Sequence, residues 1–363
     1  MDRRPAYHRS RILTSGILIA VLLFSTAAIR LGLEWKRALD DVDAMIVTPV
    51  TLPEPTSIPS ASAEPPSAPQ VSQEESAGAS VAPTEQPAEP MPDEPVNILL
   101  LGTDARVDGE PTRTDAIILV HLNPRTNRVS LLSFPRDLWV EIPGYGYNRI
   151  NAAYPIGELR MGPGYGAALA KETVSKLVGV PVHHFVLVNF EGFKTIIDLI
   201  GGITIDVPRP IDDPKYPVDA YPGDVRTMEI HFDAGEQLMD GERALIYART
   251  RHADNDFGRN QRQQQVLMAI FNRVREQNLL EQLTLLDDYT SALRDYVRTD
   301  IPRSKMVWLA QVGTRLNAED VQRYAIDSKM IVALETPATF AADPVAVREI
   351  VDKMTAGGEP PSP

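Results

Sequence analysis

Residues 96–104 read Val-Asn-Ile-Leu-Leu-Leu-Gly-Thr-Asp, the pattern that most strongly constrains the architecture of this chain. The apolar run of residues 96–101, interrupted only by Asn97, is typical of a buried strand. Residues 116–122 and 129–134 show the same pattern, and a turn sequence at 123–127 joins them. Because the first two connections are too short for parallel crossovers, we expect these strands to belong to a mixed sheet.

Helices are predicted to alternate with further strands along the rest of the chain. The helix patterns cover residues 165–177, 191–200, 240–247, 257–278 and 343–354, and the additional strand patterns cover 185–188, 203–207 and 330–334. Residues 208–235 are predicted to form a loop. Buried strands that alternate with helices predict an α/β fold whose sheet is covered on both faces.

The N-terminal region has the sequence of a membrane anchor. Residues 12–29 form an 18-residue run without a charged side chain, which as a helix would span roughly 27 Å. Arginines precede this run, whereas no basic residue occurs between Arg37 and Arg106. The positive-inside rule therefore places the N-terminus in the cytoplasm and the remainder of the chain outside. The alternative is a secretory signal peptide that is cleaved near residues 25–28.

A segment rich in proline, serine, alanine and glutamate follows the apolar run. Twelve of the 31 prolines lie between Pro49 and Pro95, and such a stretch cannot bury enough apolar surface to fold. We therefore expect residues 1–11 to be a basic cytoplasmic N-terminus, residues 12–33 a transmembrane signal-anchor helix, and residues 34–95 an extracytoplasmic linker.

The charge distribution and the lack of cysteine exclude several classes of function. The formal net charge is −13, and residues 38–105 carry twelve acidic side chains and no lysine or arginine. The rest of the chain is nearly balanced, so that it offers no broad basic field for nucleic acid. Without cysteine, the chain has no disulfide, no thiol nucleophile and no cysteine-based metal site.

Charged residues stand at the ends of the first three predicted strands. Asp104 follows the first strand directly, and Arg113 and Asp115 stand at the start of the second. If the two strands are neighbours, their carboxylates can converge, and two carboxylates with waters and substrate phosphate oxygens suit an octahedral Mg²⁺ ion. The alternative is that both aspartates cap backbone groups in turns. Arg136 follows the third strand and would point into the crevice in which the two carboxylates converge.

The richest cluster of basic residues lies in the second half of the chain. Arg249 and Arg251 share one face if their stretch is extended. On the helix that follows, Arg259, Arg262 and Gln263 share a face. Planar guanidinium groups bind phosphate oxygens in pairs and stay charged when partly buried, so this cluster predicts a phosphate site. The alternative is a solvated helix face with scattered ion pairs.

The order of these motifs resembles the LytR-CpsA-Psr family. Each motif is weak by itself, but so many of them in this order are highly specific. They occupy residues 97–104, 113–115, 133–137, 148–154, 188–193, 201–203, 240–251, 256–259 and 262–264. Thr114 and Phe134 depart from the residues common in the family, and neither is a predicted ligand.

The resemblance implies a three-layer α/β/α sandwich with a central mixed β-sheet, preceded by one transmembrane helix and a disordered linker. Residues 96–280 would form the catalytic domain, residues 281–355 a C-terminal extension that packs on it, and residues 356–363 a disordered tail.

The resemblance also implies an Mg²⁺-dependent transferase, for which Mn²⁺ could substitute. The enzyme would move an anionic glycopolymer or another wall glycan from a polyprenyl pyrophosphate carrier to peptidoglycan and release polyprenyl phosphate. It would be a single-pass protein of the cell membrane, with its catalytic domain outside and no nucleic-acid partner. The polyprenyl chain would lie in an apolar groove between the sheet and its covering helices.

Roles are carried over by motif. The metal ligands would be Asp104 and Asp115. The pyrophosphate ligands would be Arg113, Arg136, Arg249, Arg251, Arg259 and Gln263. The groups expected to act in catalysis are Arg136, Arg249, Arg251, Asp256 and Arg259, with Asp256 as the candidate general base.

Three other functions remain open at this point. Water could replace the acceptor hydroxyl, which would make the protein a polyprenyl-pyrophosphate hydrolase. The chain could also be a non-catalytic lipid-binding scaffold, or a regulator of envelope assembly. The sequence contains neither the Gly-x-Ser-x-Gly nucleophile motif nor a P-loop.

Overall fold

The structure is a computed structural model of the chain. It describes residues 37, 39–52, 94–104, 113–218, 225–250, 256–276, 286–313, 315–334 and 340–356. The predicted anchor, most of the predicted linker and nearly all of the predicted tail lie outside these ranges. Among the helices within them, none is both long enough and apolar enough to cross a bilayer.

A six-stranded mixed sheet forms the centre of the fold. In spatial order its strands are β11 (Val297–Thr299), β6 (His184–Asn189), β1 (Val96–Thr103), β2 (Thr114–Asn123), β3 (Arg128–Ser133) and β12 (Val321–Ala325). Strand β2 pairs antiparallel with β1 and β3, whereas β1 pairs with β6 and β3 with β12 in parallel. The prediction of a mixed sheet, made from the two short connections, is confirmed.

Short two-stranded ladders and helices surround this sheet. The strands are β4 (Trp139–Ile142), β5 (Gly146–Arg149), β7 (Ile203–Val207), β8 (Ile211–Pro217), β9 (Thr227–Phe232), β10 (Gly235–Met239), β13 (Ile331–Ala333) and β14 (Phe340–Ala342). The α-helices are α1 (Ala153–Arg160), α2 (Tyr165–Val178), α3 (Phe190–Leu199), α4 (Gly241–Arg249), α5 (Asp256–Glu276), α6 (Leu286–Leu293), α7 (Arg303–Gly313) and α8 (Pro344–Ala356). The hairpin β4–β5 and helices α1, α6 and α7 were not predicted from the sequence.

Helices cover the central sheet on both faces, because successive residues of a strand point to opposite sides. Leu99 and Leu101 of β1 face a core that includes side chains of α2 and α8. Leu100 of the same strand faces the other way and packs with side chains of α5 and α7. The three-layer α/β/α arrangement expected for the chain is therefore present.

A second, smaller core lies around strands β7 to β10 and helix α4. The prediction that residues 208–235 form a loop is wrong, because β8 and β9 pair as an antiparallel ladder within this range. The alternation of Met228, Ile230 and Phe232 is the strand pattern that the sequence reading missed, and Ile230 and Phe232 are buried. Pro214 lies within β8, and a proline inside a strand weakens the strand pattern in the sequence.

The C-terminal part, residues 281–355, does more than pack on the domain, since β11 and β12 form the two edges of the central sheet. Asp300, directly after β11, accepts a hydrogen bond from Phe185 N (2.8 Å) and pairs with Lys171 Nζ (2.5 Å). Burial opposes ionisation of Asp300, but the hydrogen bond from His184 and the charge of Lys171 lower the pKa of its carboxyl below the usual value. This buried pair fixes one sheet edge to α2.

Part of the predicted linker also belongs to the folded body. In residues 39–52, Met45 is buried and Leu52 packs against the main core. Val47 N donates a hydrogen bond to Thr299 O (2.8 Å), which attaches this segment to the outer strand β11. We call residues 39–52 the docked segment.

Ion pairs hold the docked segment on its polar side. Asp41 lies 3.3 Å from the guanidinium of Arg294, and Asp43 pairs with Arg303 of α7. The segment is thus attached by backbone and ionic contacts to the C-terminal part of the chain, and by apolar contacts to the main core.

Gly241 allows helix α4 to approach helix α3 closely. A Cβ atom at Gly241 would lie 2.6 Å from Lys194 Cα, closer than atoms can pack. We expect Gly241→Ala to lower the free energy of unfolding by ~1–3 kcal/mol, the usual cost of overpacking. Denaturant unfolding measures this loss. Gly313→Ala is the matched control, because no atom lies within 4 Å of its added methyl; equal unfolding midpoints for the two variants would contradict the prediction.

Candidate functional site

A cavity opens where strands β1 and β6 end. Its volume is about 770 Å³, counting the open mouth. Polar and charged lining residues are Asp115, Asn189, Asp213, Tyr216, Arg249, Arg259 and Gln263, and apolar ones include Val188, Phe190, Phe193, Pro217, Leu245 and Ala248. The cavity therefore combines guanidinium groups with an aromatic and aliphatic surface.

The ends of β1 and β2 bring the predicted metal ligands to this edge of the sheet. The register of the two strands shifts by one residue at this end, so that Asp115 is the extra residue of a β-bulge and lines the cavity. Asp104 and Arg113 lie at the ends of the same strands and are exposed. The expectation that the two strands are neighbours is confirmed.

A chain of ion pairs starts from Asp115. Arg136 Nη1 lies 2.5 Å from Asp115 Oδ1, and Arg136 Nε lies 3.6 Å from Asp137 Oδ2. Asp137 Oδ1 in turn lies 3.3 Å from Arg149 Nη1, on strand β5. A predicted metal ligand and a predicted pyrophosphate ligand are thus in direct contact, and the hairpin β4–β5 is tied to them.

Arg249 is the last residue of helix α4 and lines the cavity. The expectation that it lies in an extended stretch is wrong, because α4 continues through this residue. Its guanidinium lies 4.3 Å from the centre of the Phe190 ring, and its Nη1 donates a hydrogen bond to Tyr216 Oη (3.1 Å). Aromatic side chains therefore hold this cation at the cavity wall.

The first turns of α5 were expected to present Arg259, Arg262 and Gln263 together. Arg259 and Gln263 line the cavity, and Arg259 is only 2% exposed. Arg262 instead donates hydrogen bonds to Tyr247 O (3.0 Å) and to Thr250 O, at the C-terminal end of α4. The part of the prediction that adds Arg262 to the phosphate cluster is therefore wrong, since this side chain caps a helix.

Helix α5 is held in place by the two residues that follow Gln263. Gln264 donates hydrogen bonds to Ser133 Oγ (2.8 Å) and Tyr324 O (2.7 Å) on the central sheet. Gln265 accepts a hydrogen bond from Tyr247 Oη (2.7 Å) on α4. These contacts fix the helix that carries Arg259 against both neighbouring layers.

Two predicted site residues cannot be placed. Arg251 and the side chain of Asp256 lie outside the described part of the chain, although Asp256 is the first residue of α5. Their roles as a pyrophosphate ligand and a general base stay predictions.

Strand β8, which was not predicted from the sequence, forms one wall of the cavity. Asp213, Tyr216 and Pro217 all line the cavity, and Asp213 is 1% exposed. The signal that could have found them is the alternation in β9, which predicts a partner strand in the range that was read as a loop. Strand β8 thus adds a buried carboxyl group and a phenol to the lining of the cavity.

The carboxylates of the site suit a cation that retains several water molecules as ligands. Across the described ranges, no three histidine, aspartate or glutamate side chains come together as a metal site. Asp104 and Asp115 supply at most two carboxylates, the number with which Mg²⁺ is usually held beside substrate phosphates. The residues present are thus compatible with Mg²⁺.

A family model supports the resemblance noted in the sequence. The model described as the LytR_cpsA_psr family matches residues 66–355. The chain belongs to the LytR-CpsA-Psr family. The resemblance carried by the short motifs of residues 97–264 is therefore confirmed, and the matched range also includes β11, β12 and α8.

Relatives within this family carry specific names. A protein of Oceanobacillus iheyensis named polyisoprenyl-teichoic acid–peptidoglycan teichoic acid transferase TagU is 37% identical over 213 residues, 58% of this chain and 60% of that protein. TagV of Bacillus subtilis, with the same descriptive name, is 33% identical over 65% of this chain and 57% of its own length. The chain thus spans less than two thirds of both relatives.

The fold agrees with that of a solved member of the family. The crystal structure of B. subtilis TagV matches with a TM-score of 0.57 and 30% identity, over 74% of this chain and 100% of that one. The α/β architecture with a central mixed sheet is therefore that of the LytR-CpsA-Psr family.

Proposed function

We propose that this protein is a phosphotransferase that moves a glycopolymer from a polyprenyl pyrophosphate carrier to peptidoglycan and releases polyprenyl phosphate. Family membership supports the proposal, as do the names of the relatives, which are teichoic acid transferases acting between a polyisoprenyl-linked polymer and peptidoglycan.

The observation that carries the proposal is the dual character of the cavity. Arg249, Arg259 and Gln263 offer donors to phosphate oxygens, while Phe193 and Leu245 line the same space with apolar surface. A molecule that joins a pyrophosphate to a long hydrocarbon needs both, because its charges require paired donors and its chain requires removal from water.

The proposed step is the attack of a peptidoglycan hydroxyl on the phosphorus that carries the glycan. A new bond forms between the hydroxyl oxygen and this phosphorus, and the bond from phosphorus to the bridging pyrophosphate oxygen breaks. Polyprenyl phosphate leaves with the electron pair, and the hydroxyl proton passes to a base, for which Asp256 is our candidate. The product is a phosphodiester between the glycan and peptidoglycan.

Positioning and charge neutralisation dominate phosphoryl transfer. Arg249 and Arg259 would hold the two phosphates, and Arg136 would balance the charge that develops on the leaving group. Arg113 and Arg251 would complete the set of donors. Asp104 and Asp115 would hold Mg²⁺, which supplies further neutralisation of phosphate charge when bound.

We also propose that residues 12–33 anchor the protein in the cell membrane, with the catalytic domain on the outer side. The uncharged run of residues 12–29 and the lack of basic residues between Arg37 and Arg106 support this orientation. An anchored enzyme of this kind would meet a lipid-linked substrate at the membrane surface.

The proposal is tested with a lipid-linked glycopolymer that carries a label in the glycan, incubated with the full chain, Mg²⁺ and peptidoglycan. We expect the label to appear in the insoluble peptidoglycan, together with an equal amount of polyprenyl phosphate. Release of labelled glycan phosphate into solution, at the same rate with or without peptidoglycan, would identify a hydrolase instead. Bound lipid without turnover would identify a scaffold.

A further inference from the structure

Strand β8 contacts the end of α4 through Asp213 and Tyr216. In a regular strand these two side chains would not point to the same side. Asp213 and Tyr216 are three positions apart, and such residues normally face opposite sides of a strand. The pairing of β8 with β9 shifts its register between these two positions, and both side chains line the cavity. The irregularity therefore directs a carboxylate and a phenol to the same place.

The carboxylate of Asp213 holds the residue that follows Arg249. Thr250 Oγ1 donates a hydrogen bond to Asp213 Oδ2 (2.5 Å), and Lys215 N donates to Asp213 Oδ1 (3.1 Å). Asp213 is 1% exposed and Thr250 is fully buried. A buried hydrogen bond between a hydroxyl and a carboxyl oxygen is strong and directional.

Thr250 is the position at which α4 ends. Its backbone leaves the helical conformation, with φ −56° and ψ 141°, and its carbonyl oxygen accepts a hydrogen bond from Arg262. The hydroxyl and the carbonyl of this one residue are thus both engaged. Since Arg249 is the preceding residue, any change in where the helix ends changes the direction of the Arg249 side chain.

We infer that Asp213 and Thr250 form a positioning pair, which fixes the end of α4 so that Arg249 points into the cavity at the level of the pyrophosphate. The inference rests on the proposed function. Strand β8 would then position Arg249 at two points. Tyr216 contacts its guanidinium, and Asp213 fixes the adjoining backbone through Thr250. The pair acts on Arg249 through the end of α4.

The decisive comparison is Thr250→Val against Thr250→Ser. Valine keeps the branched shape of threonine and lacks the hydroxyl, whereas serine keeps the hydroxyl. We expect Thr250→Val to lower kcat by ~10²-fold, the cost of misplacing a catalytic group by about 1 Å, and to leave the KM for peptidoglycan unchanged. Thr250→Ser should turn over close to the rate of the parent protein.

Binding of farnesyl pyrophosphate, measured by calorimetry on the full chain, gives a second readout. We expect Thr250→Val and Asp213→Asn to weaken binding, and Thr250→Val to cause little further loss in an Arg249→Ala background, because the pair acts through that arginine. Asp212→Asn is the matched control: the neighbouring carboxylate is exposed and pairs with His231.

The outcomes separate this inference from the proposed function. If Arg249→Ala binds farnesyl pyrophosphate as tightly as the parent, the proposed function fails. If Arg249→Ala weakens binding while a folded Thr250→Val binds and turns over normally, only the positioning pair is refuted. Equal losses from Thr250→Val and Thr250→Ser would also refute it, since the hydroxyl would then be irrelevant.

Discussion

Arg249→Ala is expected to lower kcat by ~10²–10³-fold while the domain stays folded. Removing one fixed donor from a site that stabilises developing charge costs about this much in other enzymes. Arg249 lies at the cavity wall, stacked on Phe190 and bonded to Tyr216, so its guanidinium is already placed before substrate arrives. The measurement is the initial rate of polymer transfer to peptidoglycan under saturating lipid-linked substrate.

The matched control for this prediction is Arg243→Ala, on the same helix. Arg243 stacks on Phe232, 3.9 Å from its ring centre, and is not a lining residue of the cavity. Its removal should leave kcat nearly unchanged. A rate for Arg249→Ala that matches the rate for Arg243→Ala would rule out a special role for Arg249 in transfer.

Asp115→Asn is expected to reduce turnover by ~10²-fold or more and to raise the Mg²⁺ concentration needed for half-maximal activity. The substitution removes a charge from one of the two proposed metal ligands, and metal-ion neutralisation is worth several kcal/mol in such reactions. It also weakens the 2.5 Å contact with Arg136. Initial rates over a Mg²⁺ titration measure both effects.

Asp206→Asn serves as the control for the Mg²⁺ titration, because Asp206 is an exposed residue of β7 and does not line the cavity. Its titration curve should coincide with that of the parent protein. If the curve for Asp115→Asn coincides as well, Asp115 does not hold the metal and its pairing with Arg136 is structural.

The edge of the central sheet was predictable because its signals are local. An apolar run followed by Gly102 and Asp104 marks where a buried strand ends, and a short connection makes the next strand its antiparallel neighbour. These two facts are enough to bring Asp115 near Asp104. The bulge that turns Asp115 into the cavity was not predicted, since it depends on the register of the pairing.

The roles within the basic cluster were harder to predict, because neighbouring residues of similar chemistry have different partners. Arg259 lines the cavity, whereas Arg262, one turn later, caps α4. Helical spacing places both on one face, but it does not say which helix end lies nearby. Asp213 was missed for a related reason: its importance comes from a tertiary contact with Thr250, 37 positions away.

The docked segment changes what the proline-rich stretch can do. Leu52, the last residue of the docked segment, packs against the main core, and β1 begins in the body at Val96. Because the chain is already attached to the body before residue 53, the length of the stretch that follows does not set the height of the domain above the bilayer. With the proposed anchor at residues 12–33, we expect that height to depend on the few residues that separate the anchor from the docked segment.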